Sequence, residues 1–169
     1  MSAANPAGVL YASWEDLDRA LAGLSDKEAA TRYLGGSSFA RTLAHLASTL
    51  DTWVNVRFAG QAPHPLLSER RFRMGGSGEA DDWPAPRQAV SEVRAGVRDY
   101  LSGVDEDELD RVVPYDGSIT ALREPGVSLR YSLARMAAHH YFHLGEIATK
   151  RSLLGHRIVD YPGLMGEAR

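Results

Sequence analysis

The longest uninterrupted pattern in the chain opens at Ser128, where a hydroxyl side chain can cap a helix, and runs to Leu154 and Gly155. Leu129, Leu133, Met136 or Ala137, His140, Leu144 and Ile147 recur on one side of it, which predicts a helix of about 27 residues with a single apolar face. Such a helix cannot bury its stripe alone, so the fold must supply other helices beside it.

Caps and spacing predict three of these. Ser13 stands three residues before Asp16, and Ser25 three before Glu28, so each offers an oxygen to a helix start. This predicts a first helix from about Trp14 to Leu24, followed by a short one. Gly35 and Gly36 break the chain, and Ser37 or Ser38 can cap a new helix. Phe39, Leu43, Leu46, Leu50 and Trp53 then recur at spacings of 4, 3, 4 and 3, predicting a second helix that ends near Gly60. Pro86 suits a helix start, and the stripe Val90, Val93, Val97 and Leu101 predicts a third helix that stops at Gly103.

Between Gln61 and Pro86 the residues Pro63, Pro65, Gly75, Gly76, Gly78 and Pro84 exclude a long regular element. The segment is expected to be a long loop shaping the mouth of a substrate site, where Arg70, Arg71 and Arg73 either meet an acidic ligand group or stay solvated. Asp105 to Asp110 suggests one short helical turn, and Pro114, Asp116, Gly117, Pro125 and Gly126 mark irregular connection. The tail through Tyr161 and Pro162 is expected to be extended and packed on the bundle. With no alternating strand pattern, the reading is an all-α four-helix bundle with two irregular excursions, one domain over residues 1–169.

Composition narrows the function. Nineteen Lys plus Arg against 22 Asp plus Glu give a net charge of −3, which offers no footprint for phosphate backbones and excludes nucleic acid as the expected partner. No apolar run approaches the roughly 18 residues of a membrane helix, and no leader pattern opens the chain, so a cytoplasmic protein is expected. Cysteine is absent, so a metal site must rest on His, Asp or Glu, and six histidines become the candidates.

Thr42, His45, Thr49 and Thr52 form a row beside the apolar stripe of the second helix. Ser132, Met136, His139, His143, Glu146 and Lys150 form an equivalent row on the last. The i, i+4 pair His139 and His143 lets two imidazoles reach one ion, and a third from a facing helix would complete a three-His site with open positions. The segment HHYFH is no zinc-protease motif, because His140 stands where that chemistry needs a Glu base. A di-iron bundle fails too, since the order is His143-x-x-Glu146 and it occurs once.

These residues carry a family resemblance. LAHLASTLDTWVNVRFAG, with His45 and Trp53 on one helix, and HHYFHLGEI, followed by SLLGH and DYPG, resemble the DinB/YfiT-like metalloenzymes. The resemblance implies a four-helix bundle in which one divalent ion is held by His45, His139 and His143. It also implies activity as a thiol-dependent transferase, a mycothiol-dependent isomerase or a related enzyme. Many relatives carry Arg where Leu144 stands and Gln where Glu146 stands, so the roles of those family residues do not transfer.

Two functional classes are compatible with these residues. The first is a metal-dependent transferase or hydrolase acting on a small organic molecule, with or without a low-molecular-weight thiol. Zinc is the first choice of ion, because imidazole suits it, ahead of nickel, iron and manganese. The second is a non-catalytic bundle that binds a small ligand or pairs as a homodimer, its His cluster structural or vestigial. His140 reads as a packed core histidine or a donor behind the ligands, and His64 and His156 as loop residues that are solvated or packed. Glu146 is a hydrogen-bond acceptor or base near the metal, or else a surface partner of Lys150; Trp53 is a candidate pocket wall.

Overall fold

Helix α1 (Pro6–Leu21) begins about two turns ahead of the start that its capping signals suggest. The computed structural model, which describes residues 6–72 and 83–156, explains why. Ser13 is buried inside the helix and its hydroxyl donates to the Leu10 carbonyl at 2.6 Å, so it caps nothing. Pro6 fits a first turn, where its missing N–H has no partner to lose.

The other caps form as expected. Ser25 and Glu28 close a reciprocal capping box on α2 (Asp26–Ala30). Ser38 accepts from the Arg41 N–H at the start of α3 (Phe39–Leu50). Asp105 caps α5 (Glu106–Asp110), and Ser128 caps α6 (Leu129–Leu153). Helix α4 (Pro84–Leu101) takes Pro84, two residues earlier than Pro86, as its first residue. The connection between α5 and α6 holds a feature that periodicity could not reveal. β1 (Val112–Val113) pairs antiparallel with β2 (Val127–Ser128), too short for any alternation to register. Gly126 makes that return possible, with φ of 73° and no room for a Cβ, which would lie 2.6 Å from the Val113 carbonyl oxygen.

The four long helices α1, α3, α4 and α6 form the bundle, with α1 lying along α6 and α3 against α4. Trp14, Leu17, Phe39, Leu46, Leu133 and Ile147 are fully buried between them. His140 belongs to this core: it is 2% exposed, and its Nδ1–H donates to the Met136 carbonyl at 2.7 Å. Burial pushes its pKa down to about 3, outweighing the hydrogen bond to Met136. No helix among the described residues is long and apolar enough to cross a membrane.

Beyond Leu50 helix α3 does not stop; it widens into a π turn, Asp51–Val56, which carries the chain towards Gly60. Asp51, 5% exposed, anchors the loop after it. Its carboxylate accepts from the Asn55 amide at 3.1 Å and from the His64 backbone N–H at 2.8 Å, while the Asn55 amide also donates to the Val93 carbonyl of α4. Single 3₁₀ turns stand at Leu66–Ser68 and Arg70–Phe72, with Leu67 and Phe72 buried. Residues 73–82, including Arg73, and the tail through Tyr161 and Pro162 lie outside the described residues.

Two outcomes are expected from these contacts. An unfolded histidine titrates near 6.5, so the unfolded chain binds the His140 proton first and stability should fall as pH drops from about 6.5 towards 3. In metal-free protein, denaturant titrations at pH 7 and pH 5 should show a smaller acid loss for His140→Leu than for the parent. An unchanged loss would contradict the assignment. Asp51→Ala should cost about 1–3 kcal/mol and speed amide exchange at His64 and Ser68, read by hydrogen–deuterium exchange.

Candidate metal centre

His45 projects from the middle of α3, and His139 and His143 project one turn apart from α6. One ligand-capable atom from each of the three lies within 4.8 Å of the other two. The rings meet edge to face, with centroids 5.1 Å apart for His45 and His139, 5.2 Å for His45 and His143, and 4.7 Å for the α6 pair. His139 Nε2 and His143 Nε2 face each other at 3.1 Å. Two ring nitrogens at that distance either share a proton or share an ion.

Glu146 decides which nitrogen of His143 is free. Its carboxylate accepts from His143 Nδ1 at 2.7 Å, so the proton of the neutral ring sits on Nδ1 and the Nε2 lone pair faces the cluster. Glu146 is itself held by the buried Lys150 ammonium, and the Thr42 hydroxyl donates to it at 3.1 Å while accepting from Lys150 at 3.1 Å. Burial would push the Glu146 carboxyl up, but the hydrogen bonds from His143 and Lys150, reinforced by the Lys150 charge, hold it down at about 2. It is therefore a carboxylate at neutral pH with both oxygens engaged, and a poor base.

His45 and His139 are kept neutral near pH 7. Burial, with the neighbouring His139, Arg41 and His143, lowers His45 to about 4; burial, His143 and Arg135 lower His139 to about 4. His139 Nδ1 is buried with no hydrogen-bond partner among the described residues. Three converging imidazoles, one with its Nε2 lone pair aimed inwards by a carboxylate, are a donor set that fits a borderline divalent ion such as zinc.

A cavity of about 850 Å³ opens directly beside His45 and His139. Its walls come from three places: Trp53 on the π turn, Pro63 and Leu67 in the loop, and Tyr115 and Ile119 in the connection after α5. Helix α6 supplies the floor with Tyr131, Arg135 and Met136. Trp53 and Tyr115 pack at 5.4 Å between ring centroids, with the Arg57 guanidinium over both rings.

The structure thus brings His45, His139, His143 and Glu146 together and makes Trp53 a wall, while His64 and His156 stand apart. His64 packs under the loop and meets Glu92 at 2.9 Å, and His156 meets Glu28 at 3.2 Å. Glu146 accepts from a histidine and pairs with Lys150, on its two oxygens, but the pairing is not the surface contact expected, because Lys150 is buried. Arg70 and Arg71 do not line the cavity: Arg71 pairs with Glu69 at 2.8 Å and stacks on Phe72, and Arg70 is exposed. Sequence reasoning missed Arg135 and Tyr131, although they stand four and eight residues before His139, which places them on its face. It also missed the wall at Tyr115, whose ring lies so close to Gly117 that a Cβ there would fall 2.4 Å from the phenol oxygen.

Comparison with known proteins agrees with this architecture. Two solved structures share the fold: a conserved protein from Enterococcus faecalis, with 18% identity, a TM-score of 0.62 and coverage of 89% of this chain and 95% of its own, and YfiT from Bacillus subtilis, with 15% identity, a TM-score of 0.62 and coverage of 90% and 87%. YfiT is described as a probable metal-dependent hydrolase with an unusual four-helix bundle topology. No curated protein matches the chain. The DinB superfamily model matches residues 10–147, a span that holds all three clustered histidines and Glu146, and the chain belongs to that superfamily.

Proposed function

We propose that this protein is a metal-dependent enzyme acting on a small organic substrate, with His45, His139 and His143 holding one divalent ion and zinc the first choice. The observation that carries this reading is the convergence of three imidazoles from two helices at the edge of a cavity of about 850 Å³. The description of YfiT as a probable metal-dependent hydrolase supports hydrolysis as the reaction. When bound in a three-His site with open positions, such an ion brings a water or thiol to the ionised, nucleophilic form near neutral pH.

The chain's own residues do the remaining work. Glu146 keeps the His143 proton on Nδ1, and Thr42 and Lys150 keep Glu146 in place, so this carboxylate is a positioning residue. The apolar and aromatic walls at Trp53, Leu67 and Ile119 shield the reacting end of a substrate from bulk water. The cavity volume also has room for a second small molecule, which supports transfer to a low-molecular-weight thiol as the second reading.

Metal analysis tests the proposal. Protein purified without added metal and then titrated with zinc should bind one equivalent, and His45→Ala, His139→Ala and His143→Ala should each weaken binding sharply while helical circular dichroism is retained. His64→Ala and His156→Ala should leave both zinc binding and helical circular dichroism unchanged. Because the bundle has a large core of its own, the metal-free protein should be folded, and zinc at a hundredfold excess over its Kd should add about 2.7 kcal/mol. An unfolded metal-free chain would make the ion structural, and zinc binding that survives all three single substitutions would remove the site. Glu146→Gln should weaken zinc binding about 10–100-fold, measured by competition with a chelating dye.

A further inference from the structure

Among the described residues, the lining of the cavity beside the histidines holds one cation whose charge no carboxylate neutralises. Arg135 lines it, exposed, and has no carboxylate within ion-pair distance among the described residues. Its guanidinium is held 5.1 Å from the centroid of the Trp53 ring, a cation–π contact that fixes its position without neutralising it. Among the described residues the one acidic side chain in the lining is Asp51, and both of its oxygens already accept hydrogen bonds, from Asn55 and from the His64 N–H. Other parts of the wall, at Trp53, Leu67, Ile119 and Met136, are apolar or aromatic. A ligand that satisfied this lining would bury an apolar body and leave one negative group at the mouth.

We propose that the cavity takes an organic anion with an apolar body of about two fused rings, its carboxylate paired with Arg135, and that Arg135 selects such molecules over their neutral counterparts. Arg135 stands one helical turn before His139, so a ligand paired with it extends inwards past the histidine cluster. This rests on the metal-enzyme reading for any chemistry done on the ligand, but the binding step needs only the cavity and Arg135.

Calorimetric titration of 2-naphthoate and the neutral 2-naphthamide into metal-free protein separates the two. The parent should bind 2-naphthoate about tenfold more tightly than 2-naphthamide. Arg135→Gln, at an exposed position where folding is not at stake, should erase that preference by weakening 2-naphthoate alone, and Arg135→Lys should restore part of it. Equal affinity of the parent for both probes, an unchanged preference in Arg135→Gln, or no binding of either at millimolar concentration would overturn the proposal. So would 2-naphthoate binding that appears only after zinc is loaded, since its carboxylate would then be seeking the ion. Zinc binding measured on the same samples keeps the two readings apart: a preference for 2-naphthoate in a protein that takes up no zinc would leave this proposal standing and remove the metal centre.

Discussion

The hydrogen bond from His143 Nδ1 to Glu146 is the contact on which the rest of the site depends. Without it the His143 proton could sit on either nitrogen, and the Nε2 lone pair would have no fixed direction. The bond in turn requires a carboxylate in a half-buried position, which is costly unless a cation comes with it. Lys150, one helical turn further along α6, supplies that cation, and Thr42 on α3 bonds both partners. One carboxylate thus sets a tautomer, neutralises a buried ammonium and ties together the two helices that carry the three histidines.

The surroundings divide into two environments. On the Glu146 side the polar groups satisfy one another; on the other side lies the apolar cavity walled by the π turn and the two irregular connections. The imidazoles stand at the boundary, and their desolvation lowers His45 and His139 to about 4. Protons therefore do not compete for those two nitrogens near neutral pH, which is the state in which a histidine can donate its lone pair. The Asp51 network holds the cavity wall to the bundle, so the pocket is built from a helix end and its loop together.

How much of this could be read from the residues depends on the range of each interaction. Helices α3, α4 and α6 were legible because stripe spacing and caps are local, as Ser38 and Ser128 illustrate. Ser13 misled for the same local reason: a serine followed by Asp16 has the form of a cap, and only burial of Leu10 and Trp14 against the bundle carries the helix back to Pro6. The His139 and His143 pair was visible in the spacing, whereas the choice of His45 as third member came from the family resemblance. The π turn at Asp51, the two-residue strands and the Tyr115 wall left no periodic trace. Arg70 and Arg71 drew attention by charge density, yet among the described residues the arginine in the cavity lining is Arg135 on α6, which spacing from His139 identifies better than clustering does.

X-ray absorption at the zinc edge of the loaded protein tests the central claim most directly. The account predicts a shell containing three imidazole nitrogens at about 2.0–2.1 Å, completed by a light solvent-derived atom. A shell with fewer than three imidazoles, or one built mainly from carboxylate oxygens, would contradict the assignment of His45, His139 and His143 as the metal-holding set.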